Sequence, residues 1–275
     1  MITGVGGLLG PYLYEGLADF GAVVGVGLNR GDETCDLEQP CQVRGLMERV
    51  KPDIIVHAAA MTDVDACQRQ PDKALRTNAE MVKHLVSLMP AKARLVMIST
   101  DQVYPDTRGL HEEDRTGPVN SYGRSKLAGE QAALKSPGSL VLRTNIFGPS
   151  KTPGRASLSD WLIDSLNRRQ PVTLFKDVLF SPLHMSTLSE RIVDALARGL
   201  AGVFNLGCRE GASKMEFGLL VADHLGLRTD TVTVGNTAAI SQRAPRPLDM
   251  RMNVGRMEKA MQITMPTLRQ EIEKL

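Results

Sequence analysis

Four short, almost uninterrupted apolar runs, separated by helix-length amphipathic segments, limit this chain more than any other feature. They occupy residues 22–28, 53–60, 94–99 and 140–144. A strand that is apolar at nearly every position has no solvent face. It belongs in a sheet covered on both sides, as parallel sheets are. Helical patterns fill the gaps at residues 8–20, 41–50, 71–88 and 121–135. Strand–helix repetition of this kind predicts an α/β chain with right-handed crossovers and a doubly wound parallel sheet.

The rhythm changes at residues 149–156, PSKTPGRA, whose Pro, Gly and Ser read as a loop or lobe boundary. At 275 residues two coupled lobes are expected. We divide the chain into a sheet domain over 1–148 and a smaller α/β lobe over 149–275, with 180–207 returning to the sheet. Within the lobe, Ser213 is placed to cap a helix over 213–225 with Glu216 at the capping-box position. Met250, Met252, Met257 and Met261 read as a helix face filling core gaps.

Charge and composition remove several function classes. Lys plus Arg number 33 and Asp plus Glu 31, a net +2 without a long run of one sign. Neither nucleic acid nor a membrane surface is expected as a partner. Aromatic residues make up 4% of the chain, too few for a base-stacking platform. The four cysteines (35, 41, 67, 208) and five histidines lack metal-ligand spacing, so no metal is expected. With no secretory leader or membrane-length apolar window, the expected location is the cytoplasm, with reduced thiols.

Thr3-Gly4-Val5-Gly6-Gly7-Leu8-Leu9-Gly10 stands between a stub of strand and a helix, with glycines 4, 7 and 10 in GxxGxxG spacing. One reading is a phosphate cradle, in which missing β-carbons let a pyrophosphate approach the backbone at a helix N-terminus. The other is a tight turn that needs glycine for positive φ. Only three residues precede Gly4, so either the first strand is short or the chain's true start lies upstream. The second run ends at Leu28-Asn29-Arg30. An acid there would bind ribose hydroxyls, whereas Arg30 offers a cationic fork to a 2′-phosphate, favouring NADP(H) over NAD(H). Arg30 as a solvated loop residue is the competing reading. Asp36 and Leu37 would meet the adenine, with Asp36 equally suited to forming a turn.

Ser99-Thr100-Asp101 ends the third run, and Tyr122-Gly-Arg-Ser-Lys126 opens the following helix. Four residues apart, Tyr122 and Lys126 share a helix face. A phenol ordinarily ionises near pH 10, and an adjacent ammonium would lower that. Thr100 could hold a substrate oxygen while Tyr122 exchanges its proton. YxxxK alone is weak evidence; after a glycine loop and an STD strand end, in that order, it is strong.

TGxxGxxG, Ala58-Ala59-Ala60, STD and YxxxK resemble the extended short-chain dehydrogenase/reductase family, and within it the dTDP-4-dehydrorhamnose reductases and their sugar-nucleotide-binding relatives. The resemblance implies a Rossmann sheet with NADP(H), or alternatively NAD(H), at its C-terminal edge, and a sugar nucleotide between sheet and small lobe. It implies Thr100, Tyr122 and Lys126 as the catalytic triad. Gly4, Gly7, Leu8, Leu9, Gly10, Asn29, Arg30, Asp36, Leu37, Ala58, Ala59, Ala60 and Asn78 would join Tyr122 and Lys126 in holding the cofactor. Thr62, Asp101, Gln102, Asn145, Ile146 and Arg246 would meet the substrate, Arg246 at its diphosphate. The resemblance also allows a homodimer. Two departures stand out: these reductases commonly carry aromatics where this chain has Gln102 and Ile146, which leaves the sugar open. Related 4,6-dehydratases carry an acid at position 102, and an amide cannot remove a proton, so dehydration is disfavoured. The expected function is NADPH-dependent reduction of a 4-keto-6-deoxy sugar nucleotide. An epimerase holding NAD, or a non-catalytic NADP-binding subunit like the methionine adenosyltransferase β subunit, are the alternatives.

Overall fold

The computed structural model describes residues 1–239 and 243–275. In its first half the chain runs β1 (Ile2–Thr3), α1 (Gly10–Gly16), β2 (Gly25–Gly27), β3 (Glu33–Thr34), α2 (Pro40–Val50), β4 (Ile54–His57), α3 (Val64–Arg69), α4 (Pro71–Leu75), α5 (Met81–Leu88), β5 (Arg94–Thr100), α6 (Ser121–Ala133) and β6 (Leu140–Thr144). It continues with β7 (Ile146–Phe147), α7 (Leu158–Asn167), β8 (Val172–Phe175), β9 (Leu179–Phe180), β10 (Leu183–His184), α8 (Met185–Ala197), β11 (Gly202–Asn205), β12 (Ala212–Ser213), α9 (Lys214–His224), β13 (Val232–Gly235), β14 (Asp249–Met250), α10 (Gly255–Met261) and α11 (Leu268–Ile272).

Seven of these strands form one sheet in the order β11-β6-β5-β4-β1-β2-β3, every pair parallel. This is the doubly wound Rossmann arrangement, in which the chain reverses direction beside β1 and opens a crevice at the strand ends. The apolar runs are continuous because both faces are covered. Along β5, Leu95 and Met97 pack into one core with α2, α5 and α6, while Val96 packs into the other with α1, α8 and α9.

Although only two residues long, β1 is paired on both sides, Ile2 with Gly25 and Val56. The run over 22–28 yields only three strand residues in β2. Arg30 folds back on Gly27, where a β-carbon would lie 2.0 Å from the Arg30 carbonyl oxygen. The helix expected over 71–88 exists, with a π turn at Arg76–Glu80 between α4 and α5.

After β6 the chain builds smaller sheets, β12-β9-β14, β13-β8 and β10-β7, while β11 lies at the edge of the main sheet. On α8, Ser189 Oγ donates to the Tyr12 carbonyl at 2.8 Å, and a β-carbon on Gly16 would meet Ser189 Oγ at 2.3 Å. The α9 capping box has both of its bonds, Glu216 N to Ser213 Oγ at 3.0 Å and Ser213 N to Glu216 Oε2 at 2.7 Å. Five C-terminal methionines (250, 252, 257, 261 and 265) are buried. Among the described residues no helix is long and apolar enough to cross a membrane.

Candidate active site

One cleft of about 1050 Å³ opens at the C-terminal ends of β1, β2, β4, β5 and β6. The glycine turn forms its floor. Gly4 N donates to the Val26 carbonyl at 2.9 Å and Gly7 N to the Gly4 carbonyl at 2.9 Å. The two readings of the turn divide among its glycines. Gly4, at φ +77, leaves no room for a β-carbon, which would lie 2.6 Å from Ala59 N, and one on Gly10 would lie 2.1 Å from the Val5 carbonyl oxygen. These two positions need glycine to close the turn and seat it on the Ala58–Ala59 backbone. Around Gly7 the nearest atom to an added β-carbon is the Gly4 carbonyl oxygen at 3.1 Å, and Gly6 is open. Backbone at Gly6 lines the cleft, so a phosphate could approach it.

At the cleft's β2 end lie Leu28, Asn29, Arg30, Cys35, Asp36, Leu37 and Glu38. Arg30 is exposed, and Asp36 takes both roles considered for it. It lines the cleft, and its Oδ1 accepts from Glu38 N at 3.0 Å, an Asx turn. Ala58, Ala59, Ala60 and Thr62 continue the wall, with Leu8 and Leu9 beside the glycine turn. His57, just before the alanines, is a core residue: its Nδ1 meets Thr3 Oγ1 at 2.7 Å, and burial takes its pKa down to about 3.

Thr100 ends β5, and Asn120 caps α6 by accepting from Gly123 N at 2.8 Å. The cap fixes the first helical turn, so Tyr122 and Lys126 both face the cleft alongside Thr100. Burial raises the Tyr122 pKa above that of a free phenol. A hydrogen bond with Thr100 opposes the rise and the Asp101 and Cys67 charges add to it. The lowering expected from Lys126 is therefore not seen. That ammonium is buried, donates to the Ile98 carbonyl at 2.7 Å, and is itself brought down to about 8 by desolvation. Where the cleft meets the ends of β5 and β6, Asn145 Nδ2 donates to Asp101 Oδ2 at 2.7 Å. Burial raises the Asp101 pKa and lowers that of Lys214, whose charge reaches Asp101 from the start of α9. Gln102 lines the cleft with its amide engaged at both ends, accepting from Asn120 Nδ2 at 2.9 Å and donating to Met250 Sδ. Ile146 completes this wall.

Two expected contact residues stand elsewhere. Asn78, 1% exposed, lies behind the cleft, where its amide accepts from Met61 N at 2.8 Å and donates to the Met61 carbonyl and Ser125 Oγ. It positions the segment after the alanines. Arg246 is turned onto Asp65, with Nη2 to Oδ2 at 2.8 Å, and does not line the cleft. Sequence reasoning missed the loop segment Thr152, Pro153, Gly154 and Arg155, which lines the cleft and is bonded to Gly7 through Thr152. The available signal was a Pro-Gly pair followed by an arginine, read only as a boundary.

Residues 1–275 match the family described as RmlD substrate binding domain. The dTDP-4-dehydrorhamnose reductase of Salmonella typhimurium is 26% identical, over 97% of this chain and 93% of that protein. Methionine adenosyltransferase 2 subunit beta of Danio rerio is 29% identical, over 94% and 83%. A crystal structure of dTDP-4-dehydrorhamnose reductase from Bacillus anthracis, in complex with NADP, superposes with a TM-score of 0.90. It is 25% identical and covers 99% of this chain and 96% of that one. A Rossmann sheet, a glycine turn under its crevice and a full-length family match lead to one conclusion: the chain belongs to the RmlD substrate binding domain family.

Proposed function

We propose that this chain is an NADPH-dependent reductase of a 4-keto-6-deoxy sugar nucleotide. The observation that carries the reading is the meeting of the glycine turn, the alanine wall and the trio Thr100, Tyr122 and Lys126 in one cleft. The residues present suit a dinucleotide: Gly6 leaves backbone open to a phosphate, and Arg30 supplies a cation at the β2 end. That cation favours a 2′-phosphate and hence NADPH over NADH. When bound, the dihydronicotinamide supplies the hydride.

The protein's own groups do the rest. Tyr122, with its proton held tightly by burial, gives it to the oxygen of the carbonyl being reduced. Thr100 hydrogen-bonds that oxygen. Lys126 uses one donor on Ile98 and keeps two for ribose hydroxyls. Both ends of the Gln102 amide are occupied, which supports reduction over dehydration.

The test is NADPH consumption with a panel of 4-keto-6-deoxy sugar nucleotides, with the alcohol identified as product. The expected result is stoichiometric oxidation of the cofactor, faster with NADPH than NADH. A tightly held cofactor that never exchanges would favour an epimerase. Failure across the panel, together with a co-purifying enzyme, would favour a regulatory subunit, a reading kept open by the Danio rerio relative.

A further inference from the structure

The loop over 149–156 is built in more detail than a connection between lobes requires. Arg155 N donates to the Thr152 carbonyl at 3.2 Å, with Pro153 second in the turn and Gly154 third at φ +78. Pro followed by a positive-φ glycine is the signature of a type II turn, which sets the direction of the fourth residue. The turn is tied to the cleft floor: Thr152, 8% exposed, donates from Oγ1 to the Gly7 carbonyl at 2.8 Å. Behind it, Tyr12 OH donates to the Pro149 carbonyl at 2.7 Å and Ser150 N to Asp160 Oδ2 at 3.0 Å. The fourth residue, Arg155, lines the cleft. Among the described residues its guanidinium is in no salt bridge.

The other cleft cations are differently placed. Lys126 is buried against Ile98, and Arg30 stands on the β2 side of the turn, its Cβ 4.0 Å from where a β-carbon on Gly6 would be. A diphosphate laid on the open backbone of Gly6 would have Arg30 beside that glycine and the Thr152–Arg155 turn, tied to Gly7, beside the next. Resting on the dinucleotide reading above, we propose that Arg155 is a further cofactor-binding residue that neutralises the dinucleotide's diphosphate from the small-lobe side. Its role would differ from that of Arg30: a diphosphate is common to NADP and NAD, whereas a 2′-phosphate belongs to NADP alone.

Titration calorimetry on the full chain separates these roles, using Arg155→Gln, Arg155→Lys and Arg30→Gln with NADP⁺, NAD⁺, ADP-ribose, adenosine 2′-monophosphate and dTDP. Arg155→Gln should weaken NADP⁺, NAD⁺ and ADP-ribose alike by about tenfold, the scale of one solvent-shared charge-assisted contact. It should leave adenosine 2′-monophosphate unchanged, and Arg155→Lys should recover part of the loss. Arg30→Gln should weaken NADP⁺ far more than NAD⁺. Unchanged binding of NADP⁺, NAD⁺ and ADP-ribose would overturn the proposal, as would a loss confined to NADP⁺. A loss confined to dTDP would also overturn it, moving Arg155 to the second nucleotide. A wild-type chain that binds neither dinucleotide would sink the functional reading itself, whereas normal wild-type binding with an indifferent variant sinks only the role of Arg155.

Discussion

Tyr122 sits in a small apolar pocket with Cys67 and Ala74, and the Asp101 carboxylate lies close enough to oppose its ionisation. A phenol kept protonated well past neutrality is suited to giving a proton, the direction a reductase needs. Tyr122→Phe should lower kcat by roughly 10²–10⁴, the usual value of a positioned proton donor, and leave dinucleotide affinity within a factor of two or so. Lys126, with its pKa near 8, sets the alkaline limit. As pH rises through that value the ammonium is lost while Tyr122 stays protonated, so kcat/KM for reduction should fall with an apparent pKa near 8. A profile flat to pH 10 would contradict this assignment. The trio was legible because residue types four apart on a helix start, after a strand end, admit few geometries. The direction of the Tyr122 shift was not, because it depends first on how deeply the fold buries the phenol, and that depth leaves no mark in the spacing. Asn78 and Arg246 were misplaced for a similar reason: polar side chains of either kind bind a ligand or brace a loop equally well.

Among the elements, β5 and β6 were readable almost to the residue, because strands buried on two faces must be apolar throughout. Helix α6, expected over 121–135, runs Ser121–Ala133. It buries small and polar residues rather than an apolar stripe, and its Glu130 reaches Arg143 of β6 at 2.7 Å, both side chains nearly inaccessible. Ser99 and Tyr104 join this pair, Ser99 through Glu130 and Tyr104 through Arg143. Glu130→Gln would leave the Arg143 charge uncompensated in the interior, and urea unfolding should show a loss of about 3–5 kcal/mol. Gly10→Ala tests the glycine turn. Its added carbon collides with the Val5 backbone, so both melting temperature and dinucleotide affinity should drop, whereas Gly6→Ala should spare stability.

Across the whole molecule, the C-terminal segment is fastened to the first half by Asp65, which receives Arg246 and Ala244 N. The Arg246 bond, first among the causes, holds the Asp65 carboxyl down at about 2. A depressed carboxylate stabilises the fold above its unfolded pKa and loses that contribution as pH falls through the folded value. Both side chains are about a third exposed, so Arg246→Ala should cost no more than about 1 kcal/mol at pH 7. The difference from wild type should shrink below pH 4 and vanish only below pH 2. A large rise in KM for the sugar nucleotide in this variant would instead return Arg246 to the diphosphate role first expected for it. The small sheets after β6 were the least legible level. Strands of two to four residues, paired across long separations, carry almost no periodic signal of their own.

The sulfur-rich packing of the C-terminal third has a practical consequence. Thioethers are what a mild peroxide attacks in such an interior, and there they are shielded until the packing opens. The rate at which peptides carrying Met250 to Met265 gain oxygen would clock the breathing of this region, with no label attached, and any molecule that clamps the halves together should slow that clock.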